Sequence, residues 1–169
     1  MTANLPEPVI RAARPADGPE YVALVRGLAA FEGLAPPDDM AAGRLLAHAF
    51  GAKPRYELLV VELDGRLVGY AAFFETYSTF RALPSLYLED LFVLPEARAR
   101  GIGRCLMLRL AGLAVERGYG RFEWSVLDWN ADAQRFYRSL GSHIHTEWHL
   151  CRVDGDALLA LAAPPDATP

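Results

Sequence analysis

The chain has 169 residues, 52 % hydrophobic and 22 % charged, a length for one domain that buries roughly 69 % of its unfolded surface and needs no disulfide or metal staple. Seventeen Lys and Arg against 21 Asp and Glu give a formal charge of −4, which excludes the broad basic surface of a general nucleic-acid binder. Cys105 and Cys151 are the only cysteines, and neither a basic-then-apolar leader nor an apolar run of 18 residues occurs, so a cytoplasmic protein with no membrane or nucleic-acid partner is expected.

Val9 to Arg14 reads as a short strand ended by Pro15. Asp17-Gly18-Pro19-Glu20 then offers a capping box, with Asp17 as N-cap and Glu20 three residues on. The stripe Tyr21, Leu24, Val25, Leu28, Phe31 follows at helical spacing until Gly33 and Pro36-Pro37 stop it. A second helix is expected from about Asp39 to Phe50. The period then changes to that of strands: Tyr56 to Leu63, a turn at Asp64-Gly65, and Arg66 to Thr76. Leu86 to Leu94 is a further strand, leading through Pro95 into a helix over about Gly103 to Glu116. Arg121 to Leu127 reads as a strand, Asp132 to Leu140 as a short helix entered through Asn130, and His143 to Val153 as a final alternating strand. The order is mixed α/β, antiparallel meander first and crossover units last. One domain over 1–163 is expected, with a disordered Pro-rich tail at 164–169.

The chemistry centres on Leu91 to Arg104, where an apolar strand ends, a turn rich in Arg and Gly follows, and a helix begins. Such a turn aims free backbone N–H groups and the positive helix end at one spot, which suits a phosphate or pyrophosphate. Arg98, Arg100 and Arg104 can add charge there. Neither of two familiar phosphate loops fits: no Lys is near for a Walker loop, and Leu106 stands where the dinucleotide fingerprint needs a third Gly or Ala.

Strand, Arg98-x-x-Gly101-x-Gly103 and helix together resemble the acyl-CoA-binding motif of the GNAT superfamily of N-acetyltransferases. Tyr87 to Val93, Asp128-Trp129-Asn130 and Phe136 to Gly141 are similar to its spermidine/spermine branch, which includes diamine and thialysine acetyltransferases. The resemblance spans roughly 9–162 and implies the GNAT acyl-CoA N-acyltransferase fold, a mixed central sheet with splayed strands and flanking helices. Acetyl-CoA is the acyl donor it implies, lying between strands Leu86–Leu94 and Arg121–Leu127. By the same resemblance the stretch Leu91, Phe92, Val93 meets the pantetheine through backbone groups of Leu91 and Val93. Ala99, Arg100, Gly101, Ile102, Gly103 and Arg104 cradle the pyrophosphate, Arg98 orders the turn, and Asn130 and Tyr137 contact the cofactor. A homodimer is the expected assembly.

Acetyl transfer to an amine needs a proton removed, an oxyanion stabilised and a thiolate protonated. Glu89 is the candidate base, directly or through water, Val93 N–H the candidate oxyanion donor, and Tyr137 the candidate acid. Glu89 and Asp90 are adjacent in a strand, so alternation sends them to opposite faces: Glu89 with Tyr87, Leu91 and Val93, and Asp90 with Leu86, Leu88 and Phe92. Both carboxyls then sit in apolar company, which raises a carboxyl toward a useful base. The acceptor side is assigned to Phe31 and Glu32, to Glu123, Trp124 and Ser125, to Glu147, and to Asp90 as a substrate-side charge, while the resemblance supports Glu89 as base or substrate ligand. Polyamine-specific relatives carry further acidic residues where this chain reads Gly33 to Pro37 and Tyr77 to Phe80, so a short diamine, a thialysine-like amino acid or another small primary amine is expected rather than spermine.

His143, His145, Glu147, His149 and Cys151 alternate, but a strand spaces them about 6.8 Å apart, too far to converge on one ion, so no metal is expected. Cys105 is expected to turn into the core and stay inert. Two other functions remain open on the same fold. A non-catalytic acyl-CoA sensor needs no acid or base, so the presence of Glu89 and Tyr137 argues against it. A protein N-acetyltransferase would accept a peptide tail.

Overall fold

The computed structural model describes residues 7–163, which form two compact units dividing after Ser125; the expected tail 164–169 lies outside the described residues. The first unit holds β1 (Val9–Ala12), α1 (Gly18–Glu32), α2 (Asp39–Phe50), β2 (Glu57–Leu63), β3 (Arg66–Ser78), β4 (Leu83–Val93), α3 (Ile102–Glu116) and β5 (Phe122–Trp124). The second holds α4 (Ala131–Ser139) and α5 (Gly155–Ala162). The sheet order is β1-β2-β3-β4-β5, antiparallel throughout except that β4 and β5 run parallel. A hairpin turn joins β2 to β3 at Asp64 and Gly65, both at positive φ.

α1 forms where the apolar stripe demands a helix, and it buries Tyr21 and Leu24 against Leu58, Val60, Leu67, Tyr70, Ala72 and Phe92. Gly33 closes it in the left-handed region (φ 72°), returning its N–H to the last carbonyls. The expected capping box is not made. The Asp17 carboxylate instead accepts two bonds from Arg11 (2.7 and 2.9 Å) and one from Arg14 N–H. Glu20 accepts from Leu67 N–H across in β3 (2.8 Å). A charged partner outcompetes the cap, and both carboxylates tie the start of α1 to the sheet. α2 does carry a side-chain cap, Asp38 accepting from Ala41 N–H at 2.7 Å.

α3 buries Ile102, Leu106, Met107, Leu110 and Ala114. Arg117, just past its end, stacks 6.0 Å over Phe73, so α3 covers the sheet face opposite to α1. Cys105 is a correction: it is exposed on α3, because Leu106 and Met107 occupy the buried arc beside it. The final strand expected over 143–153 is also not formed. That segment is irregular and, Ile144 apart, exposed, and α5 follows it. Alternation alone does not make a strand without an edge to pair with.

Candidate active site

β4 is irregular where its two acids stand. Ala72 pairs with Asp90 and the next β3 residue, Phe73, pairs with Leu88, so Glu89 has no partner and forms a β-bulge. The bulge overturns the strict alternation expected for this strand. Tyr87 lies opposite Phe74 with their rings 5.4 Å apart, and Asp90 accepts from Tyr70 Oη at 3.1 Å, so both side chains look to the α1 face. Glu89 lines the same cleft as Asp90 rather than the opposite side of the sheet. Leu91 and Val93 accordingly share the α3 face with Leu86 and Leu88, not with Glu89, while Phe92 joins the α1-side core.

The cleft encloses about 280 Å³ between Tyr21, Leu45, Arg55, Tyr56, Ala72, Phe74, Glu89 and Asp90. Its polar groups are ordered from beneath. Tyr56 Oη donates to the Leu45 carbonyl (2.9 Å), which leaves Tyr21 Oη, 3.2 Å away, to donate to Tyr56. Burial pushes the Asp90 carboxyl up to about 6; the bond from Tyr70 opposes that shift, and the charges of Glu89 and Glu32 add to it. Burial raises Glu32 as well, and its charge acts on Asp90 although it comes from the end of α1. With Asp90 ionised above about pH 6, the cleft sets a negative charge beside aromatic rings, a surface suited to an ammonium group.

The β4–β5 ladder runs from Leu86↔Phe122 to Leu88↔Trp124, and β4 continues to Val93 beyond it. Leu94 N–H donates to Val68 O (2.8 Å). By the antiparallel alternation Phe92 and Asp90 also bond to β3, while Leu91 and Val93 turn their N–H and C=O groups toward the side β5 has left. The strands part where the bulge sits. A ligand with amide groups can pair with this open edge as a strand would.

Beyond it the chain makes a 3₁₀ turn (Pro95–Ala97), and Ala99 and Gly101 take positive φ (60° and 76°) before α3 starts. No side chain caps α3, so its first-turn N–H groups face outward, the geometry of an anion site. Arg98 Nε donates back to the Val93 carbonyl (2.9 Å), with its guanidinium 5.0 Å from the Phe31 ring and 5.8 Å from that of Phe92. It thereby ties the turn to the end of β4. Phe31, expected beside the acceptor, lies under this arginine. Phe92 is 4 % exposed, a core side chain rather than a ligand-facing one.

Of the triplet expected to face the acceptor, Glu123 pairs with Tyr87, and Ser125 Oγ is 2.9 Å from Tyr87 Oη. Trp124 is instead in register with Leu88, on the α3 face, its ring 4.8 Å from that of Phe122. Glu123 is also engaged by Arg121 at 2.8 Å. In the second unit Asn130 caps α4, its Oδ1 accepting from Ala133 N–H (3.1 Å). Tyr137, on α4, is buried, and burial pushes its phenol up. Glu147 is exposed and pairs with His145 Nδ1 at 2.7 Å. Sequence reasoning missed Tyr21, Arg55, Tyr56 and Phe74 as cleft residues and missed the bulge. The run Leu88-Glu89-Asp90-Leu91 carried its signal: two adjacent acids break the alternation of an otherwise apolar strand.

The sequence profile of the Acetyltransferase (GNAT) family matches residues 27–141. A thialysine N-epsilon-acetyltransferase of Bos taurus is 34 % identical over 165 residues, covering 91 % of this chain and 96 % of that protein. An L-ornithine N5-acetyltransferase of Arabidopsis thaliana is 42 % identical over 98 residues, 58 % of this chain and 43 % of the relative. Among solved structures, an integron cassette protein of V. cholerae superposes with a TM-score of 0.81 at 24 % identity, covering 93 % of this chain and 98 % of that one. An aminoglycoside N-acetyltransferase in complex with CoA superposes with a TM-score of 0.72 at 18 % identity, covering 90 % and 99 %.

Proposed function

Because the chain belongs to the GNAT family of acetyltransferases and is an acetyl-CoA-dependent N-acetyltransferase with the fold of that family, we propose that its acceptor is a small primary amine, a diamine, polyamine or thialysine-like amino acid, which attacks the thioester directly. The observation that carries this reading is the bulge, which brings Glu89 and Asp90 into one cleft beside the point where β4 and β5 part. Residues 1–163 act as one catalytic domain in this reading, cytoplasmic and paired as a homodimer.

Leu91 holds the pantetheine amides through its outward backbone groups and Val93 through the second lone pair of the carbonyl that also accepts from Arg98, and the turn Ala99 to Arg104 receives the pyrophosphate. Asp90 and Glu32 attract the ammonium form of the acceptor, and Glu89 removes its proton, directly or through a water, to give the nucleophilic amine. As the nitrogen bonds to the acetyl carbon, Val93 N–H stabilises the oxygen. When the carbon–sulfur bond breaks, the departing thiolate takes the proton of Tyr137, and the second proton shed by the nitrogen as it becomes the amide restores the phenol, directly or through water. A phenol raised by burial stays protonated at neutral pH and is available for that transfer. The relatives named for thialysine and ornithine act on short amines, in keeping with the lack of acidic residues at Gly33 to Pro37 and Tyr77 to Phe80.

Release of CoA from acetyl-CoA, measured with diamines, polyamines, thialysine and lysine, tests the proposal. Turnover with at least one short amine is expected. Firm acetyl-CoA binding without turnover on any amine would overturn it in favour of a sensor, and turnover confined to peptide acceptors in favour of a protein acetyltransferase.

A further inference from the structure

The acetyl-transfer scheme leaves one cleft residue without a task. Arg55 lines the cavity that Glu89 and Asp90 also line, although a cation beside an amine site opposes amine binding. Its backbone is fixed: Arg55 N–H donates to His48 O at 2.8 Å, and the neighbouring Tyr56 is tied to Leu45 of the same helix. Its side chain is exposed, and among the described residues no ion pair within 4.0 Å joins it to either β4 carboxylate. Opposite charges that share a space of about 280 Å³ without meeting leave room for a ligand bearing both complementary charges. The rest of the lining is Leu45, Ala72 and Phe74 with the rings of Tyr21 and Tyr56, which suits a chain of methylenes.

We infer that Arg55 reads a carboxylate on the acceptor, so that the preferred substrate is an amino acid carrying a second, terminal amine rather than the diamine left by its decarboxylation. The inference rests on the acetyltransferase reading above. The terminal amine lies at the Glu89–Asp90 end, where it is acetylated, and the α-carboxylate takes the paired N–H groups of the guanidinium. A diamine offers Arg55 a second cation instead, so one residue both attracts one class and repels the other.

The test compares kcat/KM for ornithine against putrescine and lysine against cadaverine, in the wild type and in Arg55→Gln, Arg55→Lys and Arg55→Glu. The wild type should favour the amino acid of each pair. Arg55→Gln should lower the amino-acid-to-diamine ratio by about 10-fold, a modest figure for a charge-assisted bond because the site is open to water. Arg55→Lys should lower it less, and Arg55→Glu should invert it, with KM for acetyl-CoA reporting that each variant is folded. A wild type that prefers the diamines, or ratios unmoved by Arg55→Gln and Arg55→Glu, overturns the inference while leaving the acetyltransferase reading intact. Absence of turnover on every amine overturns that reading, and this assignment with it.

Discussion

At Asp90 burial and two neighbouring carboxylates outweigh the hydrogen bond from Tyr70, and the carboxyl titrates at about 6 instead of the usual 3.8. The folded pKa lies above the unfolded one, so this group's contribution to stability is full below about pH 4 and is lost as pH rises toward 6. Asp90→Asn keeps an oxygen for Tyr70 and removes the charge. It should stabilise the protein by about 1–2 kcal/mol at pH 7.5 and by nearly nothing at pH 4, as urea unfolding at the two pH values would show. An equal gain at both would contradict the titration. In the proposed scheme the same carboxylate attracts the acceptor when ionised, so kcat/KM for the amine should fall as pH drops through about 6. The proposed scheme gives its neighbour a different duty. Glu89→Gln should cut kcat by about 100-fold or more while KM for acetyl-CoA holds, and Tyr137→Phe should cut kcat in the same pattern by slowing thiolate departure. Steady-state rates unchanged by either substitution would remove that residue from the chemistry.

The turn proposed to receive the pyrophosphate depends on backbone shape more than on side chains. Gly101 stands at φ 76° with nothing within 4 Å of where a Cβ would go, so Gly101→Ala meets no steric neighbour, only the left-handed backbone. That strain is about 1 kcal/mol, and relieving it would swing the first N–H groups of α3. KM for acetyl-CoA should therefore rise several-fold with kcat nearly constant, and an unchanged KM would mean that these amides do not hold the pyrophosphate. This turn was legible in the sequence because Gly spacing and a following helix are local properties, as were α1, α2 and α3, whose periodicity and terminators lie within each segment. The bulge was not read, since it arises from two strands failing to stay in step, and alternation along β4 alone sends Glu89 and Asp90 apart. The Asp17–Glu20 box failed for a related reason: partners 6 and 47 residues away took the carboxylates. Residues 143–153 alternate like a strand, yet among the described residues they join no ladder.

At the scale of the whole molecule the net charge of −4 is less informative than where apolar surface is left open. Every residue from 147 to 163 is exposed, including Trp148 (76 %), Leu150 (79 %), Leu159 (71 %) and Leu161 (73 %). α5 is built almost wholly from Ala and Leu, so it has no polar face to offer water. Surface of this kind on one chain marks a place where another chain packs, and the closed two-fold pair is the commonest way for a chain to cover it. Sedimentation equilibrium should therefore give twice the chain mass of 18.6 kDa. Leu150→Glu together with Leu159→Glu places charge where the partner's apolar groups would lie, and should return the protein to a monomer while the far-ultraviolet spectrum is preserved. A wild-type monomer would rule out the homodimer. A dimer that survives both substitutions would move its interface away from 147–163, onto a different exposed apolar set such as Tyr77 near the end of β3 and Phe80 in the turn to β4.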